Sequence, residues 1–333
     1  MTILHTAAAV ALAASSAFAL TGAAMGTAHA QAPAALAAAK LEAARVRADI
    51  DHAMVLGAAR AGRRIVAVGE AGAILLSDDD GKSFRQAQQV PADSTLTSVT
   101  FVDDRHGWAV GHWGVILHTD DGGEHWRLQR TDTATDQPIF SVAFRDLNHG
   151  WAVGLWSLLL ETSDGGQTWQ ARKVGREQGL ASATINFYSV FLGRDRQVFA
   201  TGEQGTVLRS ADDGQSWKAL ETGYKGSLWT GTETSDGELY VGGLRGNIYR
   251  STNQGGSWHA VASGGTSSVT ALLATSGGVA GVGLDGLVID KRTAAAAFTA
   301  TRVAGAPALT ALVMNARGRP VWFSMQGVLQ AKD

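Results

Sequence analysis

Short runs of β-branched and aromatic residues alternate along the chain with glycine-centred turns, a pattern that predicts many short strands rather than helices. The clearest run is Val68-Gly69-Glu70-Ala71-Gly72-Ala73-Ile74-Leu75-Leu76-Ser77, and its grammar returns in Val110-Gly111-His112-Trp113-Gly114-Val115-Ile116-Leu117-His118-Thr119. Two glycines three apart mark the turn. The turn recurs at Gly154/Ser157, Gly202/Gly205, Gly243/Gly246, Gly283/Gly286 and Ser324/Gly327. Its first position advances by 42, 43, 48, 41, 40 and 41 residues, which makes seven units.

Each turn joins two β-prone runs, GWAVG at 107–111 and again at 150–154 being the most alike, so it reads as a hairpin between strands B and C. A strand A precedes each hairpin, as in Ser98-Val99-Thr100-Phe101, Ser141-Val142-Ala143-Phe144 and Ser189-Val190-Phe191-Leu192. After strand C, five units carry one eight-residue signature: Ser77-x-Asp79-x-Gly81-x-Ser83-Phe84, then Asp121 with Trp126, Asp164 with Trp169, Asp212 with Trp217 and Asn253 with Trp258. The Asp or Asn accepts hydrogen bonds from its own turn, the glycine takes a positive φ, and the aromatic starts strand D facing the core. The five Asp or Asn residues and the five aromatics are therefore structural.

Four strands repeated seven times close radially, so the expected fold is all-β: a seven-bladed β-propeller of four-stranded antiparallel blades over residues 51–333, as in WD40- and YVTN-type propellers. The seventh unit reaches Asp333 after strand C, so residues 41–50, at the end of a linker over 31–50, are expected to supply its strand D. The 41 glycines, 5 prolines and 17% charged residues suit this fold.

A net charge of −2 with no run of like charge leaves no footprint for a nucleic-acid backbone. The absence of cysteine rules out disulfides and thiolate chemistry. Residues 7–20 are apolar and Ala-rich, and Ala28-His29-Ala30 fits a cleavage site before Gln31. Residues 1–30 thus read as an export signal, although no Lys or Arg precedes the apolar run, and the protein is expected in the periplasm or outside the cell. An uncleaved anchor is the alternative for this run, although it is short and broken by Ser15, Ser16 and Gly22; no other segment could span a membrane, so otherwise membrane contact is expected only through a partner.

The eight-residue signature is the Asp-box, or BNR, repeat. With GWAVG and TSDGGQTW beside it, the chain from about residue 51 to 333 resembles the photosystem II stability and assembly factor family, which has members in non-photosynthetic bacteria. The resemblance implies an exported seven-bladed propeller without chemistry of its own that helps assemble a membrane complex; a protein partner, no cofactor and a monomer are expected. The family's partner surface is arginine-rich, but no motif places those arginines here. The sixth unit departs from the pattern, since Asp290-Lys291-Arg292-Thr293 lacks the box.

Strand order puts the B–C turns and the D-to-A connections on one face. That face carries the candidate partner-binding residues His112, Trp113 and Trp156 in turns, Tyr188 and Trp229 where strand A begins, and Arg245 in the fifth turn. The least repetitive connections, 127–140 and 172–187, flank Trp156. Each Trp has the alternative of folding over a neighbouring blade, and Arg245 that of a solvated turn residue. A glycoside hydrolase is the rival reading, because Asp-box propellers include sialidases. The acids on this face, Glu70, Glu203 and Asp285, come from separate blades, with Glu70 and Glu203 on the order of 20 Å apart. The histidines around blade 2 mostly follow the repeat, as His106 and His149 do, so no metal site is expected.

Overall fold

The computed structural model describes residues 40–293, 295–305 and 307–329; the expected export signal and residues 31–39 of the linker lie outside them. The first blade pairs Val55–Ala61, Arg64–Gly69, Ile74–Ser77 and Arg85–Gln86 in that order, and the second pairs Leu96–Phe101, Gly107–Gly111, Ile116–Thr119 and Arg127–Arg130. Blades 3 to 6 repeat the antiparallel meander, and the seventh joins Leu309–Met314, Pro320–Ser324 and Gly327–Leu329. The chain is a seven-bladed β-propeller.

Residues 41–49 do not complete the seventh blade, contrary to expectation. They run along the outer edge of the first blade, where Ala44 N–H donates to Val90 O at 3.0 Å and Arg47 N–H to Gln86 Oε1 at 2.8 Å. Gln86 explains the choice: its side-chain amide also donates to Arg45 O, serving an unpaired stretch of backbone in both directions. Leu41 and Ala44 pack on the apolar cluster between blades 1 and 2. The ring closes instead by packing of Val55–Ala61 on Leu309–Met314 and by Thr310 Oγ1, which donates to Val55 O at 2.6 Å.

The core lies in the seams. Each buried apolar cluster mixes residues of two successive blades, as Val66, Val68 and Leu76 of blade 1 do with Val99, Ala109 and Leu117 of blade 2. The aromatic that opens each strand D wedges into the seam with the preceding blade. Trp126 fills seam 1/2, Trp169 seam 2/3, Trp217 seam 3/4 and Trp258 seam 4/5, while Phe84 meets Phe323 edge-on across the closing seam at 5.8 Å. In the boxless sixth blade Phe298 does the same work, edge-on to Tyr240 at 5.9 Å. Its turn is organised by the buried Lys291 ammonium, which donates to Thr293 O and Ala296 O.

The Asp boxes are built as expected. Ser83 Oγ–H donates to Asp79 Oδ2 at 2.6 Å, Ser83 N–H and Lys82 N–H donate to Oδ1, and Gly81 takes φ +87°. The Ser83 hydroxyl and its N–H pull the Asp79 carboxyl down to about 2, and Asp164 and Asp212 are lowered for the same reason by Thr168 and Ser216. A carboxyl depressed in the folded state stabilises above its unfolded value near 4, and that contribution is lost as pH falls through the folded value. Asn253 makes the equivalent bonds without a proton to gain. The triple variant Asp79→Asn, Asp164→Asn, Asp212→Asn is therefore expected to fold at neutral pH and to show a flatter loss of stability between about pH 4 and 2, measured by urea melts across that range.

Candidate functional site

The B–C turns are held by one recurring contact. At the end of strand B the backbone approaches the residue that precedes strand A so closely that the next N–H bonds its carbonyl: His112 N to Thr95 O at 3.0 Å, Leu155 N to Pro138 O at 3.1 Å, Glu203 N to Asn186 O at 3.1 Å. A Cβ on Gly111 or Gly154 would sit 2.1 Å from the same carbonyl, which explains the first glycine of the turn motif.

Beside each turn, strand A carries a β-bulge, so its second residue has no opposite number on strand B. A bulge re-aims its side chain, here around the mouth of the central opening. The seven bulged residues are Leu56, Thr97, Phe140, Tyr188, Trp229, Thr270 and Thr310, all half-buried. The threonines lock neighbouring blades together: Thr97 Oγ1 donates to Ile139 O at 2.6 Å and Thr270 Oγ1 to Leu309 O at 2.7 Å, as Thr310 does to Val55 O. Blades 3, 4 and 5 have aromatics there instead.

Phe140 stacks on Tyr188 with centroids 5.8 Å apart and planes at 26°. The Tyr188 hydroxyl donates to Glu203 Oε1 at 3.3 Å, and Asn186 donates to Glu203 twice, N–H to Oε2 at 2.9 Å and Nδ2–H to Oε1 at 3.1 Å. Asn186 Oδ1 in turn accepts from Trp156 N–H at 2.9 Å, which fixes a turn whose indole is 55% exposed. Burial pushes the Tyr188 phenol up, and the neighbouring Glu203 carboxylate adds to the effect. Blades 3 and 4 thus carry two stacked rings and a carboxylate oriented by neutral donors, tied through Asn186 to the turn whose indole is exposed.

Of the residues singled out from sequence, Trp156 and Tyr188 belong to this surface, and Trp229 stands at the same ring position one blade on. Trp113 does not join Trp156. It packs against the seam 1/2 cluster that Leu41 and Ala44 also cover, so the expected pair of exposed indoles is reduced to one. His112 is half-buried and tied through its backbone to Thr95 and Ser94. Arg245 is an exposed turn residue whose N–H donates to Ser268 Oγ. The connection 172–187 buries Leu180 and Ile185 in seam 3/4 and so backs the surface. The repeat pattern does not point to Phe140, Asn186 or the role of Glu203, although Phe140, Tyr188 and Trp229 fall at one position of the aligned A strands. His106 and His149 bond Asp103 and Asp146 alike, as repeat-borne turn residues.

These features define an Asp-box propeller with a partly exposed aromatic surface at one mouth. Residues 85–138 and 128–286, more than half of the chain, match the family model of the photosynthesis system II assembly factor YCF48, and the chain belongs to that family. Among solved structures it is similar to YCF48 bound to D1 peptide, at 19% identity and a TM-score of 0.67 over 88% of this chain and 97% of that one. YCF48 from Cyanidioschyzon merolae matches at 14% identity and 0.65 over 86% and 97%. A virginiamycin B lyase from Staphylococcus aureus matches at 12% and 0.68 over 87% and 97%, so the likeness to these structures is one of fold. No curated protein matches the chain.

Proposed function

We propose that the chain is a non-catalytic, exported propeller that binds a protein partner at the mouth of blades 3 to 5 and assists the assembly or stability of a membrane or envelope complex. The observation that carries this reading is the run of aromatics Phe140, Tyr188 and Trp229 at the bulge position of blades 3 to 5, the first two stacked, where blades 2, 6 and 7 have threonines that lock blade to blade. Exposed aromatics on a rigid scaffold are the usual anchors of protein interfaces. Family membership supports the assembly role, as does the D1 peptide bound by the YCF48 of similar fold. Export rests on the apolar run at 7–20 and Ala28-His29-Ala30.

The test is affinity capture from envelope extracts of the source cell with the wild type and with Phe140→Ala, Trp156→Ala, Tyr188→Ala combined. Recovery of a specific partner is expected to fall at least about tenfold, while Leu147→Ala, exposed on the opposite face, leaves it unchanged. Undiminished recovery by the triple variant overturns the reading.

One observation favours a second reading. A Tyr–Glu pair is the nucleophile and base of sialidase-type hydrolysis, and Tyr188 and Glu203 are in contact. The raised phenol works against it, because nucleophilic attack needs the phenolate. Fluorogenic sialosides are expected to show no turnover; turnover that Tyr188→Phe abolishes would establish the enzyme.

A further inference from the structure

Glu70 and Glu203 occupy the same turn position in blades 1 and 4, and the molecule treats them differently. Glu70 is ion-paired from within: Arg47, on the extended segment that straps the first blade, places Nη1 2.8 Å from its Oε1 while its Nε meets Asp49 Oδ1 at 3.3 Å. Asp285, one position further along the blade 6 turn, accepts from Ser267 Oγ, which also accepts from Arg302 Nη2. Glu203 receives only Asn186 and Tyr188, and among the described residues it has no ion pair. Those donors fill about three of the four acceptor positions of a carboxylate and leave one on Oε2, beside the Asn186 N–H that it already accepts.

A partner that covers this surface strips water from Glu203. An uncompensated carboxylate resists that transfer, so a neutral or acidic occupant is disfavoured and a cationic one is drawn in. The flat faces of Tyr188, Phe140 and Trp156 suit a planar guanidinium, which stacks on aromatic rings and is more weakly hydrated than an ammonium. Resting on the reading that this mouth engages a protein, we propose that Glu203 and the rings beside it receive an arginine side chain from an extended segment of the partner, supplying in trans the charge that Arg47 supplies to Glu70 in cis.

The experiment is titration calorimetry of the full chain with two acetylated, amidated pentapeptides, Gly-Phe-Arg-Phe-Gly and its analogue with citrulline, the neutral isostere of arginine, at the centre. The arginine peptide is expected to bind at least about tenfold more tightly, with a preference that shrinks as salt is raised. Glu203→Gln is expected to bring the two peptides within about twofold of each other, and Glu70→Gln to leave the preference intact. A melting curve confirms that each variant folds, and the salt series on the wild type decides the matter should Glu203→Gln be unstable. Equal affinities in the wild type, no binding of the arginine peptide up to millimolar concentration, or a preference that survives Glu203→Gln overturns the assignment. If the triple aromatic variant loses its partner while the peptides bind alike, the surface stands and the arginine assignment falls. If partner recovery is unaltered, the underlying reading has failed.

Discussion

Replacing Trp126 by alanine is expected to lower the unfolding free energy by about 3–5 kcal/mol, the loss typical of a large buried aromatic. Trp126 is 1% exposed, donates its indole N–H to Gly123 O at 2.9 Å, and meets Phe101 edge-on at 6.2 Å. It touches both blades of seam 1/2, so its removal empties the space that joins two sheets rather than loosening one. Trp126→Phe should cost far less, about 1–2 kcal/mol, because Phe84 fills the equivalent place in blade 1. Urea denaturation measures both, as a shift of midpoint at constant slope. A loss below about 1 kcal/mol for the alanine variant would mean that the seams are not where the stability resides.

The second large effect is expected at Gly154→Ala. The added methyl would lie 2.1 Å from Pro138 O and 3.0 Å from the Ile139 Cα, both backbone atoms, so the chain itself must shift. Overpacking of this kind costs about 1–3 kcal/mol. The shift also separates strand A, which carries Phe140, from the turn that carries Trp156, so partner binding is expected to fall by more than stability alone accounts for. Gly175→Ala is the control: its nearest neighbour is Ala183 O at an ordinary 3.8 Å, and stability should change by less than about 0.5 kcal/mol. Thermal melts and partner capture on the two variants give the comparison, and a Gly154→Ala protein with native stability and binding would contradict the turn geometry described above.

The fold was legible because its repeat is enforced by backbone contacts. A glycine is needed wherever strand B crowds the entry to strand A, and an aromatic wherever strand D meets the preceding blade, so both recur at the blade period. The site was legible only in part. Trp113 and Trp156 occupy the same turn position with left-handed φ of 57° and 54°, and the motif cannot tell them apart. One is drawn into a seam that the 40–49 segment helps cover, and the other is left exposed where Asn186 holds its turn. The bulge that turns Phe140, Tyr188 and Trp229 toward the mouth is a register effect, visible only once pairing partners are known. The path of residues 41–49 depended on a single side-chain amide, Gln86, which no strand pattern announces.

In the proposed complex the partner meets one face of the propeller, at the mouth of blades 3 to 5. Photo-crosslinking in intact source cells distinguishes the faces, with a photoreactive amino acid placed in turn at Trp156 and at Gln167 in the blade 3 Asp box on the opposite face. A discrete adduct is expected from position 156 and none from position 167. Adducts from position 167 alone, or from neither position, would contradict it.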